Sequence, residues 1–257
     1  MAVDPPKLKY PLVMIHGLGA KRQIGFVQYF YGIPHWLEEA GNRVFLPDLS
    51  LWNTLETRTQ QLKEQIEKEF PGDGKLNLIG HSMGGVDARF VTSCLGLGHR
   101  VASVTTIGSP NRGTSLADMV VGLLPDDVFH SAERLAGKLG LSHEGFKQLG
   151  ARYFNETLSS RIKEVPGVAY FSATSVIRKP ILKTALPIFW LTERILRRYE
   201  GDNDGFVSES SSRSGESLGT WYGDHYGQVG QIMGRTRGLD HMDLFGKTLK
   251  RLSKEGF

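Results

Sequence analysis

The chain has 257 residues, of which 40% are apolar and 23% charged, with a formal net charge of +4. That composition excludes a disordered chain, and the want of any uninterrupted apolar run of spanning length excludes a transmembrane helix. A length of 257 residues suits a single α/β domain spanning residues 1–257. The cationic excess is dispersed except for a cluster at Arg194, Arg197 and Arg198. No base-stacking motif accompanies it, so nucleic-acid binding is not indicated, whereas a mild attraction to anionic lipid surfaces is permitted. Cys94 is the single cysteine, so no intramolecular disulfide forms and nothing demands an oxidising compartment. The first ten residues hold two prolines, two lysines and no apolar core, which predicts no signal peptide; secretion and a cytoplasmic location both stay open.

In chain order, Tyr10 to Ile15 is an apolar run of strand type ending in the glycine-punctuated loop His16-Gly17-Leu18-Gly19. An aromatic segment from Phe26 to Tyr31 and a short helix around Trp36 and Leu37 follow, closed by Gly41. Val44 to Leu46 is a second strand. Leu55, Leu62, Ile66 and Phe70 mark an amphipathic helix with a charged outer face, ending before Pro71-Gly72. Lys75 to Ile79 is a buried-strand candidate, and Val86, Phe90, Val91 and Cys94 recur at helical spacing after it. Val101 to Ile107 and Val168 to Ser172 are further strands. Strand alternating with helix predicts a parallel, doubly wound sheet with ligands bound at the carboxyl ends of the strands. The alternation lapses from Ser115 to about Leu158, where successive helical patterns predict a cap or lid insertion, and a second apolar insertion spans about 180–200.

The stretch Leu76 to Asp87 organises the rest. Gly80-His81-Ser82-Met83-Gly84 is a Gly-x-Ser-x-Gly pattern between a strand and a helix, the setting in which a serine sits exposed on a tight turn as a nucleophile. The pattern occurs again at Gly215-Glu216-Ser217-Leu218-Gly219, but it follows a polar serine run, Ser208 to Ser214, that cannot be a core strand, so Ser217 reads as a loop serine. Context therefore selects Ser82. A serine nucleophile needs an imidazole base and a carboxylate to orient it, in the chain order serine, acid, histidine. Asp204, in Gly201-Asp202-Asn203-Asp204-Gly205-Phe206-Val207, is the best-placed acid, with Asp202 its near rival. His225 and His241 are the histidines late enough to serve as base.

On His16-Gly17-Leu18, Gly80-His81-Ser82-Met83-Gly84-Gly85, Gly108-Ser109-Pro110, Asn203-Asp204-Gly205 and Asp240-His241-Met242-Asp243, the chain resembles a bacterial triacylglycerol lipase of the α/β-hydrolase superfamily. That resemblance implies the α/β-hydrolase fold with a helical lid, and hydrolysis of acylglycerols or similar fatty-acyl esters. By position it makes Ser82 the nucleophile, Asp204 the acid and His241 the base, with the backbone N–H groups of Leu18 and Met83 as oxyanion hole. His225 then falls at a structural position of the family. The chemistry requires no cofactor, but the resemblance implies a structural calcium with Asp243 as a carboxylate ligand; Ile181 to Thr184 and Lys247 to Thr248 offer no second one. An acyltransferase or phospholipase on the same fold, or a protein that only binds ligands, are the alternatives.

Overall fold

The computed structural model describes residues 4–19, 23–24, 27–123, 144–178, 187–231, 234 and 239–257. Its strands are β1 Leu12–Ile15, the short antiparallel pair β2 Gln23–Ile24 and β3 Val27–Gln28, β4 Val44–Phe45, β5 Leu76–His81, β6 Val101–Ile107, β7 Ala169–Ser175 and β8 Glu216–Trp221. Six of them form one sheet in the order β4-β1-β5-β6-β7-β8, and every pairing in it is parallel. Helices α1 Ile33–Glu39, α2 Leu55–Glu69 and α3 Met83–Cys94 make the crossovers between its first strands.

The apolar strands are continuous because both faces of the sheet are covered. Leu12 and Met14 of β1 join Ile79, Ile107 and Phe171 under α1 and the C-terminal helix His241–Lys254, which contributes Phe245, Leu249 and Leu252. The alternate residues Val13 and Ile15 join Leu78 and Val104 on the opposite face, under Leu62 and Ile66 of α2 and Ala88 and Val91 of α3. The period of two along each strand thus divides one apolar run between two cores.

Two features differ from the sequence reading. Gly215 to Trp221 is not a loop: Glu216–Trp221 is the edge strand of the sheet, and Ser217 stands exposed on it, far in kind from a strand-to-helix turn. Its solvated face carries polar residues, so it lacks the apolar signature of the inner strands. Within the serine run, Ser208 caps a helical turn, Glu209–Ser212, by accepting from the backbone N–H of Ser211.

The insertion expected at 115–158 opens as α4 Ser115–Leu123 and resumes in helical turns at Glu144–Lys147 and from Ala151 to Arg161. Residues 124–143 between them lie outside the described residues, as do Phe26 of the aromatic segment and residues 180–186 of the second insertion. Leu149, Phe154 and Leu158 pack with Met83, Val86 and Phe90, seating these turns on α3. The second insertion ends in a helix, Pro187–Glu200.

Candidate active site

Ser82 occupies the turn between β5 and α3 with φ 56° and ψ −130°. Among the described residues it is the one non-glycine with positive φ. Such a backbone costs on the order of 1–3 kcal/mol and persists only where the surroundings enforce it. They do so through glycines. A Cβ at Gly80 would run into the backbone of Gly84, and one at Gly84 into the carbonyl of Ile15. The loop after β1 is equally close, since a Cβ at Gly17 would lie 3.3 Å from the Ser82 hydroxyl. Leu18 follows Gly17 and lines the same pocket as Ser82. Met83 opens α3, where the first N–H groups have no carbonyl of their own helix to bond.

Asp204 is buried and fully engaged. Its Oδ1 accepts from the backbone N–H of Phe206 (2.9 Å) and Val207 (2.7 Å). Its Oδ2 accepts from Nδ1 of His225 (2.8 Å) and from the side-chain amide of Gln228 (2.7 Å). His225 lies flat against the Phe206 ring, with centroids 5.2 Å apart, and lines the same pocket as Ser82. With Nδ1 facing the carboxylate, Nε2 is the nitrogen left for the serine.

Asp204 therefore pairs with His225, and the expectation of His241 as its partner is corrected. Nε2 of His241 bonds the carbonyl oxygen of Tyr31 at 3.0 Å, and its ring sits against Gly230. The reason is local. Asp240 accepts from the backbone N–H of Asp243 and caps the helix that begins at His241, so the Asp-His-Met-Asp stretch is a helix start. His225 instead comes four residues after β8, at the carboxyl edge of the sheet where β5 delivers Ser82. Recognising β8 as a strand is the signal that would have selected it. Asp202, the rival acid, lies apart from His225 and pairs with Arg197 at 2.5 Å.

A buried polar chain joins the three parts of the site. The Tyr29 hydroxyl is 2.6 Å from Nδ1 of His81, and Nε2 of His81 is 3.0 Å from the backbone oxygen of His225. A carbonyl only accepts, so His81 donates from Nε2 and the tyrosine donates to Nδ1. Burial, with His225 nearby, holds the His81 pKa well below the usual range, so this ring is neutral. Burial pushes the Tyr29 phenol up. His16 is also neutral, its pKa lowered to about 4 by burial and by the Arg58 guanidinium. Its Nε2 accepts from the backbone N–H of Leu49, and its Nδ1 donates to the Gly17 oxygen.

No family model matches the chain. It is 30% identical to a triacylglycerol lipase of Pseudomonas fragi over 98% of its own length and 99% of that protein's. The chain belongs to the triacylglycerol lipase family. A second family member, from Vibrio cholerae, is 40% identical over 46% of this chain and 38% of its own. Among solved structures, a Bacillus licheniformis lipase in its mature form superposes with TM-score 0.72 at 21% identity, covering 96% of this chain and 94% of that one. A Staphylococcus hyicus lipase does so with TM-score 0.74 at 16% identity and 99% coverage of both. At those identities the likeness is one of fold, and the fold is the α/β-hydrolase one. As a lipase-family member the chain is an ester hydrolase, and Ser82 lines a pocket of about 190 Å³ walled by Tyr29, Trp52, Phe146, Leu149, Phe206 and Tyr226.

The family resemblance implies a calcium at Asp243, a residue that already has a cationic partner. Its carboxylate is taken by Lys247 one turn on, at 2.6 Å. Among the described residues no group of three or more His, Cys, Asp or Glu converges to hold a metal, and no step below involves one.

Proposed function

We propose that this lipase-family chain cleaves fatty-acyl esters, acylglycerols among them, through an acyl-serine intermediate formed on Ser82. In this reading Nε2 of His225 takes the Ser82 proton as Oγ attacks the ester carbonyl, and Asp204 balances the imidazolium that forms. The backbone N–H groups of Leu18 and Met83 receive the oxyanion, helped by the positive end of α3. Collapse breaks the ester C–O bond and His225 returns the proton to the departing alcohol. Water, deprotonated by the same ring, then releases the acid and restores Ser82.

The observation that carries this reading is the 2.8 Å pairing of Asp204 with His225 in the pocket that Ser82 lines. The aromatic and aliphatic walls favour an apolar acyl group over a charged one. Phe146 and Leu149 bring residues of the 115–158 insertion into those walls, which supports its role as a cap over the site.

The test is hydrolysis of p-nitrophenyl butyrate by three alanine variants. Ser82→Ala and His225→Ala should each lower kcat by roughly 10³-fold or more, whereas His241→Ala should leave it within about tenfold, because that ring contacts a carbonyl rather than the acid. Greater loss at His241 than at His225 would overturn the assignment of the base. Full turnover by Ser82→Ala would overturn Ser82 as the nucleophile, and no covalent labelling of the wild type by a fluorophosphonate would return the chain to a ligand-binding role.

A further inference from the structure

We propose that the outward face of the Pro187–Glu200 helix is a docking surface for anionic lipid, placed beside the mouth of the active site. Leu191, Arg194, Ile195 and Arg198 recur at i, i+3, i+4 and i+7, so they share one side of the helix. Leu191 is 50% exposed and the adjoining Tyr199 69%; Arg194 and Arg198 are exposed with them. Both carboxylates of the helix turn away from that side. Glu193 is buried and held by Nε of Arg197 at 2.5 Å. Glu200 accepts from the backbone N–H of Ser115 (2.6 Å) and the Ser208 hydroxyl (2.5 Å).

A helix that merely covers a core shows water a mixture of acids and bases. The face that carries Leu191 shows arginines interleaved with leucine, isoleucine and tyrosine, with the helix's two acids, Glu193 and Glu200, engaged on the other side. Such a face matches the boundary of a lipid layer, where aliphatic and aromatic groups enter among the acyl chains and guanidinium groups remain with the phosphates. The Arg194 guanidinium already lies over the Trp190 ring at 5.0 Å, an arrangement that keeps cation and aromatic together at one depth.

The inner side of the same helix leads to the catalytic pocket. Phe189 meets the Tyr226 ring edge-on at 5.2 Å, and Tyr226 lines the pocket with Ser82. Asn203, one residue before Asp204, donates to the Glu193 carbonyl at 3.1 Å. Lipid bound on the outer side is therefore held next to the pocket, which selects negatively charged surfaces as the place where the hydrolase works.

Vesicle cosedimentation tests this with phosphatidylcholine alone and with phosphatidylcholine mixed with phosphatidylglycerol. Wild-type protein should bind the mixed vesicles more tightly, and added salt should weaken that binding. The Arg194→Ala/Arg198→Ala double variant should lose roughly 25-fold in affinity for the mixed vesicles, about fivefold per arginine. It should still hydrolyse soluble p-nitrophenyl acetate at the wild-type rate, which also certifies its fold. The Arg194→Lys/Arg198→Lys variant should keep the preference, and Leu191→Ser should weaken binding to both vesicle types. Equal wild-type binding to the two vesicles, or a double variant that binds like wild type, would overturn the proposal. So would binding of an acidic protein with no binding to mixed vesicles. Since sedimentation does not depend on Ser82, the outcome is separable from that of the hydrolytic reading.

Discussion

Oδ2 of Asp204 is shared between the His225 ring and the side-chain amide of Gln228, and the second of these donors has no precedent in the motif reading. Gln228 is fully buried and fills the space above Gly108, where a Cβ would strike its amide oxygen. Its donor satisfies one lone pair of the carboxylate in a site away from water and so fixes the direction of the one that meets Nδ1. Gln228→Met should keep the volume but remove the donor, lowering kcat on a soluble ester by roughly tenfold with KM little changed. Gln228→Glu should cost more, because two adjacent carboxyl groups share a proton and the acid-side limb of the kcat–pH profile moves. An unaltered profile in Gln228→Glu would show that the amide only packs. The turn at Ser82 and the loops that hold Gly17 and Asp204 were legible because each rests on glycines whose need is local. Gln228 was not, since a lone glutamine in a turn carries no pattern, and the pairing of Asp204 with His225 rather than His241 was missed because it required knowing which histidine follows the last strand.

At the scale of elements, Arg58 of α2 joins pieces that must stay in register for the site to exist. Its Nε (3.0 Å) and Nη2 (2.7 Å) both donate to Oδ2 of Asp87 on α3, Nη1 donates to the Ser50 carbonyl (2.7 Å), and Nη2 also to that of His16 (2.8 Å). Both side chains of the pair are wholly buried, and burial raises the Asp87 carboxyl while the guanidinium pulls it down. The loop that carries Leu18 is thereby tied to the helix that carries Met83. Replacing one member strands the other's charge, so Arg58→Met should destabilise the fold by about 3–5 kcal/mol, read by urea denaturation. Adding Asp87→Leu should restore part of that loss; a double variant no better than the single one would mean that the carbonyl contacts, rather than the ion pair, dominate. The spacing of Leu55, Leu62 and Ile66 predicted α2 and its buried stripe, as the apolar runs predicted β1, β5 and β6. It did not show that Arg58 joins that stripe, because a partner 29 residues away on another helix leaves no mark in a local period.

For the whole molecule, the two neutral buried histidines make stability depend on pH in a definite sense. His16 has its pKa lowered to about 4 and His81 is held well below the usual range, both chiefly by burial, whereas in the unfolded chain each titrates near 6.5. Between those values the unfolded state binds protons that the folded state refuses. Stability is thus full above about pH 6.5 and falls as pH drops toward 4, with His16 alone accounting for a loss on the order of 3 kcal/mol. Asp87, raised by burial, acts in the opposite direction as pH falls through its own range, so the net slope is a sum of unlike signs. A difference measurement isolates the histidine. His16→Gln can still donate to the Gly17 oxygen and accept from Leu49, but it cannot titrate. Urea midpoints collected from pH 7 to pH 4 should therefore fall less steeply in the variant than in the wild type, by about one proton's worth, 1.4 kcal/mol per pH unit. Parallel curves for the two proteins would mean that His16 takes up its proton without unfolding, and that the contacts of the His16 to Gly19 loop yield instead.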